Sequence, residues 1–337
     1  MLLFTYHIRL TTEMTTQEEY LTDYGKDNSK WDWHKDSSEK ISFFYATSNN
    51  ENHRKYNGRM SKCAEILRFI YVGNNPDIGD IEFKLAHAQF CRVRLCPICQ
   101  WRRSMAWRAR FFQNLPELLS KHKNLSFIFL TLTVKNCEIN NLSENLKWMN
   151  SAWNKMRIRK EFKGAIKGFI RSTEVTKSGN LAHPHFHAIL AVNKRYLSKG
   201  EKYISQSKWV EMWQSCLGID YLPVVDVRKL RSNSFEIEPK AIVETLKYTT
   251  KVGDLLDDKE WFLELTDQLF RKRFISTGGV FKDILRENVD NNEMLLLDDD
   301  TFLMEREDME NQYKSSLFFA FDRYARKYRK VRNPYTG

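Results

Sequence analysis

Two apolar segments joined by a short turn constrain the fold of this chain more than any other feature. Residues 165–176 and 184–192 are rich in β-branched and aromatic side chains, and Lys177-Ser-Gly-Asn180 between them has the composition of a turn. Segments of this length and composition are typical of β-strands. We therefore predict an antiparallel hairpin in which successive side chains face opposite sides of a sheet.

The elements on either side of this hairpin predict an α+β domain. Strand-like segments at residues 126–134 and 223–230 accompany helical stripes at residues 142–159, 207–217 and 239–252. The order is therefore strand, helix, strand, strand, helix, strand, helix. This order favours an antiparallel-type sheet packed against helices.

Four segments are predicted along the 337 residues. Residues 1–53 are polar and are expected to form a poorly structured extension. Residues 54–121 hold a helical stripe, a short strand, a cysteine cluster and an Arg-rich helix that Pro116 would kink or break. The α+β core occupies residues 122–255. Residues 256–337 are expected to be helical, with an acidic segment and a basic tail that could be solvated or could contact nucleic acid.

The charge of the chain favours a polyanionic partner. The formal net charge is +11, and lysines and arginines gain affinity for nucleic acid by displacing counterions from phosphates. A solvated basic surface is the alternative. The chain contains no run of 18 apolar residues that would predict a transmembrane helix, so we expect a cytoplasmic protein. In that reducing compartment, clustered cysteines are more often metal ligands than disulfides.

A cluster of histidines on the second strand of the hairpin indicates a metal site. His185 and His187 have the same parity and share one face of the strand, while Phe186 points into packing on the other face. Two imidazoles placed in this way can chelate one divalent ion, Mn²⁺ or Mg²⁺. Glu174 on the paired strand is the candidate third ligand, or else a surface carboxylate in an ion pair. His183 has the same parity but precedes Pro184 and is expected at the edge of the strand.

A tyrosine-bearing helix is the second candidate for chemistry. Helical spacing places Glu244, Tyr248 and Lys251 on one side. Tyrosine has a pKa near 10, so a cation such as Lys247 or Lys251 would help it to attack a phosphodiester. The attack would leave a 5′-phosphotyrosine and a 3′ hydroxyl, and Glu244 could act as a general base for a second transfer. The alternative is an ordinary amphipathic helix.

Together these motifs resemble a known family. Phe129-Leu-Thr-Leu-Thr133, Gly179-Asn-Leu-Ala-His-Pro-His-Phe-His187 and Glu244-Thr-Leu-Lys-Tyr-Thr-Thr-Lys251 occur in the order of the rolling-circle plasmid replication initiators. These are single-tyrosine members of the His-hydrophobic-His (HUH) endonuclease superfamily. The resemblance implies a five-stranded sheet with the His strand at its centre, and Tyr248 as nucleophile. It also implies plasmid origin DNA as substrate, a host helicase and polymerase as partners, and termination by hydrolysis through Glu244.

The remaining motif is a cysteine cluster that suits a structural zinc. Cys91, Cys96 and Cys99 combine a C-x-x-C pair with a third cysteine, and zinc prefers four soft ligands. The resemblance implies Cys63 as the fourth, because the family has a cysteine in a matching context, and His87 is the alternative. Three free cysteines would be the simpler interpretation. Cys137 and Cys216 are expected to be core residues and are not assigned to the metal.

Arginines around the cluster are candidates for DNA binding. Arg92 and Arg94 precede the predicted helix, and Arg102 and Arg103 lie on it. They would contact DNA phosphates together with Lys247, or else form a solvated helix face.

Two other functions compete with a replication initiator. A single-strand transposase would use the same chemistry, but such enzymes often carry two tyrosines where this motif has only Tyr248. A non-catalytic, zinc-stabilised DNA-binding protein would explain the charge and the cysteines. It would not explain why the His pair and the tyrosine helix occur in this order.

Overall fold

The computed structural model describes most of the chain, in two compact units. The described residues are 6–7, 19–22, 29–74, 81–198, 200, 202–230, 232–233, 236–237, 242, 245–246, 250–285 and 316–334. One unit comprises Met1–Arg103 with Val289–Gly337, and the other comprises Ser104–Asn288. No helix among the described residues is long and apolar enough to cross a lipid bilayer.

Helices and strands are numbered along the chain within these residues. The helices are α1 (Lys30–Ala46), α2 (Glu51–Met60), α3 (Pro97–Lys121), α4 (Leu142–Ile158), α5 (Lys160–Ala165), α6 (Gln206–Leu217), α7 (Val252–Asp257) and α8 (Lys259–Gln268). The strands are β1 (Tyr6–His7), β2 (Ile66–Asn74), β3 (Ile81–Ala88), β4 (Leu125–Thr133), β5 (Cys137–Glu138), β6 (Ile166–Ser178), β7 (Leu181–Asn193), β8 (Val225–Lys229), β9 (Ser232–Asn233), β10 (Glu236–Ile237), β11 (Ile275–Gly279), β12 (Ser316–Asp322) and β13 (Lys327–Val331).

The first unit contains an antiparallel sheet in the order β1-β3-β2-β12-β13. The expectation that residues 256–337 are helical is therefore wrong at the C-terminal end. Phe318, Phe319 and Phe321 are buried along β12, and Tyr328 is buried on β13. The basic tail supplies β13, which pairs with β12, because aromatic residues on both strands gain burial in the sheet. The acidic segment lies outside the described residues.

The expectation of a poorly structured N-terminal extension is wrong for residues 29–53. Helix α1 begins with a capping box, in which the Ser29 side chain accepts from the Asp32 N–H and the Asp32 carboxylate accepts from the Ser29 N–H. Its buried face includes polar and charged residues, among them His34 and Lys35. Because polar residues occupy part of this buried face, the sequence of α1 lacks the apolar period that predicts a helix. Apolar spacing predicts a helix over residues 54–71, but the helix ends at Met60 and β2 follows at Ile66–Asn74.

The second unit contains the predicted α+β core. Its sheet has the strand order β11-β6-β7-β4-β8, every neighbouring pair is antiparallel, and β5 pairs with β7 beside this path. The His strand, β7, is therefore central, as the family resemblance implied. β7 is buried along most of its length, which explains its nearly continuous apolar sequence.

Helices cover both faces of this sheet. On one face, Trp153 of α4 packs edge-on against Phe169 and Phe186. On the other face, Phe111 and Leu115 of α3 belong to a core cluster with sheet residues of β4, β6 and β7. Helix α3 continues through Pro116 to Lys121, so the predicted break is absent.

Candidate metal centre

The β6–β7 hairpin brings the predicted ligands together. Its register pairs Glu174 with His185 and Ser172 with His187. The Oε2 atom of Glu174 lies 3.1 Å from Nε2 of His185 and 3.0 Å from Nε2 of His187. All three side chains are buried, with exposed fractions of 3%, 8% and 7% for Glu174, His185 and His187. Glu174 is thus a partner of both histidines and not a surface carboxylate.

The spacing of these atoms fits a single metal ion. Two neighbouring ligands about 2.1 Å from one ion, at right angles to each other, lie about 3.0 Å apart. The two distances from Glu174 match that separation, and all three ligand atoms lie within 4.8 Å of one another. Three protein ligands on one side leave further coordination positions open for water or phosphate oxygens. The donor set of two imidazoles and one carboxylate therefore fits a divalent cation.

Contacts behind the histidines orient their rings. Nδ1 of His187 lies 3.1 Å from Oγ1 of Thr131 on β4, and the ring stacks on Phe129 at a centroid distance of 5.4 Å. Nδ1 of His185 lies 3.3 Å from the carbonyl oxygen of His183. Such outer contacts fix the ring orientation and direct each Nε2 atom toward Glu174.

His183 stands apart from the triad. It lies within β7, paired with Thr176, although it was expected at the edge of the strand. Its Nδ1 atom contacts Oδ1 of Asn136 at 2.7 Å. Burial, and then the nearby charge of His185, lowers the pKa of His183. It is therefore a neighbour of the candidate site that has its own hydrogen-bond partner.

Phe186 points to the opposite side of the sheet, as its parity predicts. It is fully buried and packs near Trp153 and Trp213, with centroid distances of 6.4 Å and 6.2 Å. The guanidinium of Arg171 lies 4.0 Å from the centre of its ring. The apolar residue between the two histidines thus anchors the strand in the core.

The tyrosine motif lies only partly within the described residues. Glu244, Lys247 and Tyr248 are outside them. Ile242 precedes the motif and Leu246 lies within it. Both are fully buried in a cluster with Ile189 of β7. Ile189 has the parity of His187, so this cluster packs on the sheet face that carries the triad.

Lys251 differs from its sequence prediction. It is exposed, its backbone is extended (φ −65°, ψ 137°), and it is the N-cap residue of α7. The predicted helix over residues 239–252 is therefore wrong at its C-terminal end. The helical-face argument that aligned Lys251 with Tyr248 does not apply, because an N-cap residue is not helical.

The four predicted cysteine ligands form a second buried cluster, in the first unit. Sγ of Cys63 lies 3.7 Å from Sγ of both Cys96 and Cys99, and Sγ of Cys91 lies 3.6 Å from Sγ of Cys99. Sulfurs bound to one tetrahedral zinc at about 2.3 Å are about 3.8 Å apart. The geometry favours Cys63 as the fourth ligand, since His87 is exposed on β3.

The candidate DNA-binding arginines differ in exposure. Arg92 is exposed with a left-handed backbone (φ 57°), and Arg94 and Arg103 are half-buried. Burial, and then the charge of Arg103, lowers the pKa of Arg94. Arg102 is only 8% exposed, and its guanidinium lies 5.5 Å from the ring centre of Trp31. This burial disfavours the predicted phosphate contact of Arg102, because the core aromatic residue already covers its charge.

One cation beside the triad, Arg228, was not predicted from the sequence. Arg228 on β8 is exposed, and its guanidinium lies 4.6 Å from the ring centre of Phe129, which itself stacks on His187. Only the pairing of β8 with β4 brings Arg228 to this face, and that register cannot be read from the local sequence.

An antiparallel sheet with a buried Glu-His-His triad, accompanied by a four-cysteine cluster, defines a protein with two potential metal centres. The model of the Rep_1 family, described as "Replication protein", matches residues 82–329 of this chain.

Curated relatives have the same kind of name. The chain is 34% identical over 250 residues to "Protein rep" of Streptococcus pneumoniae serotype 2 (strain D39 / NCTC 7466), covering 72% of this chain and 76% of the relative. It is 36% identical over 262 residues to "Protein rep" of Lentilactobacillus hilgardii, covering 74% and 81%. It is 34% identical over 251 residues to "Protein rep" of Bacillus amyloliquefaciens, covering 68% and 72%. No solved structure matches the sequence at a significant level.

These matches extend well beyond the short motifs of the candidate site. The chain belongs to the Rep_1 family of replication proteins, which confirms the resemblance to plasmid rolling-circle replication initiators.

Proposed function

We propose that this protein initiates rolling-circle replication by nicking plasmid origin DNA through Tyr248, with a divalent metal held by His185, His187 and Glu174. The observation that carries the proposal is the position of Glu174 Oε2, 3.1 Å and 3.0 Å from the two Nε2 atoms. A buried carboxylate between two imidazoles is an arrangement suited to a cation.

The metal would supply Lewis-acid chemistry, drawing electron density from an oxygen of the scissile phosphate. The ligand side chains determine the net charge of the metal site. One carboxylate and two neutral imidazoles leave a divalent site with a net charge of about +1, which favours a phosphate diester. Imidazole ligands favour Mn²⁺ in affinity, and Mg²⁺ is the more abundant alternative.

Tyr248 is the proposed nucleophile. Its oxygen would attack the phosphorus, forming the tyrosine–phosphate bond as the bond to the 3′ oxygen breaks. The phenolic proton passes to solvent or to a nearby base, and the leaving 3′ oxygen takes a proton from solvent to become a hydroxyl. A neighbouring cation such as Lys247 would stabilise the phenolate electrostatically. Packing of Ile242 and Leu246 on the triad-bearing face supports this assignment.

Glu244 is the proposed base of the second step. A carboxylate near the phosphotyrosine would take a proton from water or from a strand's 3′ hydroxyl, and the incoming oxygen would displace Tyr248 from phosphorus. Hydrolysis would end the reaction and free the enzyme. A second tyrosine in the place of Glu244 would instead allow another covalent transfer.

The cysteine cluster and the basic residues complete the proposal. A structural zinc bound by Cys63, Cys91, Cys96 and Cys99 would stabilise the first unit. Arg92, Arg94 and Arg103, together with Lys247, would contact the DNA backbone. The replication reaction would further require a host helicase and polymerase, in the bacterial cytoplasm.

A nicking assay on single-stranded origin oligonucleotides tests the proposal. Wild type with Mn²⁺ or Mg²⁺ should give a covalent protein–DNA adduct on a denaturing gel, and EDTA should abolish it. Tyr248→Phe should give no adduct while still binding the same DNA. Tight binding without any adduct from wild type would instead indicate the non-catalytic, zinc-stabilised DNA-binding protein.

A single-strand transposase is the second candidate, because it would form the same adduct. It would cleave and join the ends of a mobile element rather than a plasmid origin. Comparing both kinds of substrate separates the two functions, and family membership favours the origin.

A further inference from the structure

A basic cavity lies on the face of the second unit's sheet opposite the triad. Its volume is about 240 Å³, and it lies between α4, β6 and the segment leading into β11. Arg157, Arg171, Lys272 and Arg273 line it, and the lining residues include no carboxylate. Arg171 has the parity of Phe186 and stacks on that ring, whereas Glu174 has the opposite parity. The cavity is therefore separate from the metal site.

Arg171 is the central feature of the cavity. It is only 4% exposed, and its Nη2 atom donates to Oδ1 of Asn150 at 2.7 Å. Nε and Nη1 are buried with no hydrogen-bond acceptor among the described residues. The rings of Phe186 and Trp153 lie 4.0 Å and 5.3 Å from the guanidinium and stabilise its charge, but they leave these two donors unsatisfied. A buried guanidinium with two free donors is poised for an oxyanion.

Two hydroxyl groups that line the same cavity also lack a hydrogen-bond partner among the described residues. They are Oγ1 of Thr173 and Oγ of Ser276, and both atoms are buried. Each hydroxyl can donate one hydrogen bond to an anion. Residues of β6 and β11 thus bring four donors to the lining of one cavity, two from Arg171 and one from each hydroxyl. A group with several acceptor oxygens would satisfy them together.

The other cations of the cavity are only partly neutralised. The Lys272 ammonium donates to the carbonyl oxygen of Ser143 at 3.3 Å, and the Arg157 guanidinium lies 4.7 Å from the centre of the Phe169 ring. Glu144, which is exposed, acts on Lys272 from outside the lining. Burial, and then the charges of Arg157 and Arg273, lowers the pKa of Arg171 to about 9. A pKa of about 9 leaves Arg171 cationic at neutral pH, so an anion would relieve its repulsion from the neighbouring cations.

The positive surface continues beyond the cavity. An adjoining open cleft shares Asn150, Asn154 and Lys272 with it and adds Lys147 and Lys155 of α4. Six cations along two adjoining clefts suit a chain of phosphates better than a single small anion. We propose that these clefts bind the backbone of single-stranded DNA on the sheet face opposite the metal site, with one phosphate seated on Arg171. This binding does not depend on nicking and goes beyond the proposed chemistry.

Binding measured without added Mn²⁺ or Mg²⁺ separates this proposal from catalysis and leaves the zinc proposed for the cysteine cluster in place. We would titrate full-length protein into a fluorescein-labelled, mixed-sequence strand of about 20 nucleotides, longer than the site of a typical single-strand-binding domain, and follow anisotropy. Arg171→Met keeps the aliphatic packing on Phe186 and removes the charge, so affinity should fall on the order of 10-fold. The slope of log affinity against log salt should decrease by ~0.7 for each phosphate that the variant no longer neutralises. Thermal melting establishes whether this buried substitution leaves the fold intact.

A surface variant keeps the test valid even if Arg171→Met does not fold. Lys147→Gln/Lys155→Gln changes two exposed residues of the open cleft, whereas Lys163→Gln/Lys167→Gln removes the same charge from exposed residues outside both clefts. The cleft variant should weaken binding about 3- to 10-fold, and the matched control should change it much less. Equal losses in both, or no loss in either, would overturn the proposal.

Inorganic phosphate and thymidine monophosphate distinguish a strand from a free nucleotide. Each should displace the labelled strand only at millimolar concentration, because each would fill a single phosphate position in the clefts. Saturable micromolar binding of either compound that depends on Arg171, with strand affinity unchanged in Arg171→Met, would overturn the strand assignment in favour of a small-molecule phosphate site.

Discussion

The two buried metal-capable clusters differ in how completely their ligands enclose a cation. Cys63, Cys91, Cys96 and Cys99 offer four sulfurs, all buried, at separations suited to a tetrahedron. The triad around Glu174 offers only three ligand atoms, and all three side chains lie on one face of the hairpin. A closed set of four soft ligands is typical of structural zinc, and an open set of three is typical of a catalytic metal.

This difference predicts opposite consequences of losing each metal. The cysteines come from separate places in the first unit, so a metal there would hold the chain together. The triad is carried by one hairpin that the surrounding core already stabilises. Loss of its metal should therefore remove activity and leave the fold.

The largest effect is expected from breaking the closed cluster. Cys96→Ser should reduce bound zinc from about one ion per chain to a small fraction and unfold much of the first unit, because structural zinc contributes on the order of 10 kcal/mol in small domains. Elemental analysis and hydrogen exchange by mass spectrometry measure the two effects. Cys137→Ser is the matched control, since Cys137 lies outside the cluster and is half-buried. Full zinc content in Cys96→Ser would refute the structural role.

The next effect is expected in the open triad. Glu174→Gln keeps the size of the side chain but removes the anionic ligand, so nicking should fall by ~100-fold or more. The melting temperature should stay within a few degrees of wild type, in contrast to the cysteine variant. Glu161→Gln, an exposed carboxylate on α5, controls for the charge change. Unfolding of Glu174→Gln would mean that the triad, too, is structural.

Two histidines on one strand give a sharper comparison within the site. His185→Ala should abolish metal-dependent nicking, because its Nε2 atom faces Glu174. His183→Ala should retain activity within ~3-fold, because His183 contacts Asn136 and lies outside the triad. Kinetics at several Mn²⁺ concentrations measure both variants. Equal losses would indicate that His183 also acts on the metal.

The difference between the two clusters also explains which of them could be predicted from the sequence. His185 and His187 are two residues apart, and strand parity alone puts them on one face. Glu174 lies across a short turn, so the antiparallel pairing of the hairpin brings it near them. The fourth cysteine was harder, because Cys63 is far from Cys91 along the chain and spacing alone left His87 open.

Features that depend on long-range packing were not visible in the sequence. Helix α1 was missed because Lys35 and His34 lie on its buried face, which hides the apolar period. Lys251 was aligned with Tyr248 on the assumption of one continuous helix, but the chain restarts a helix there. Nothing in the local sequence distinguishes Arg171 from other strand residues, and only the packing of α4 shows it buried with unsatisfied donors.

The smallest effect tests whether contacts behind the open site matter. Thr131→Val removes the hydroxyl 3.1 Å from Nδ1 of His187 and should weaken Mn²⁺ affinity on the order of 10-fold, with little change in the rate at saturating metal. Thr133→Val on the same strand is the control, because its hydroxyl donates to the carbonyl of Val224 instead. Titrating Mn²⁺ in the nicking assay separates the two parameters. A fall in the saturated rate with unchanged metal affinity would show that Thr131 acts on the reaction itself, and the open triad would then extend to β4.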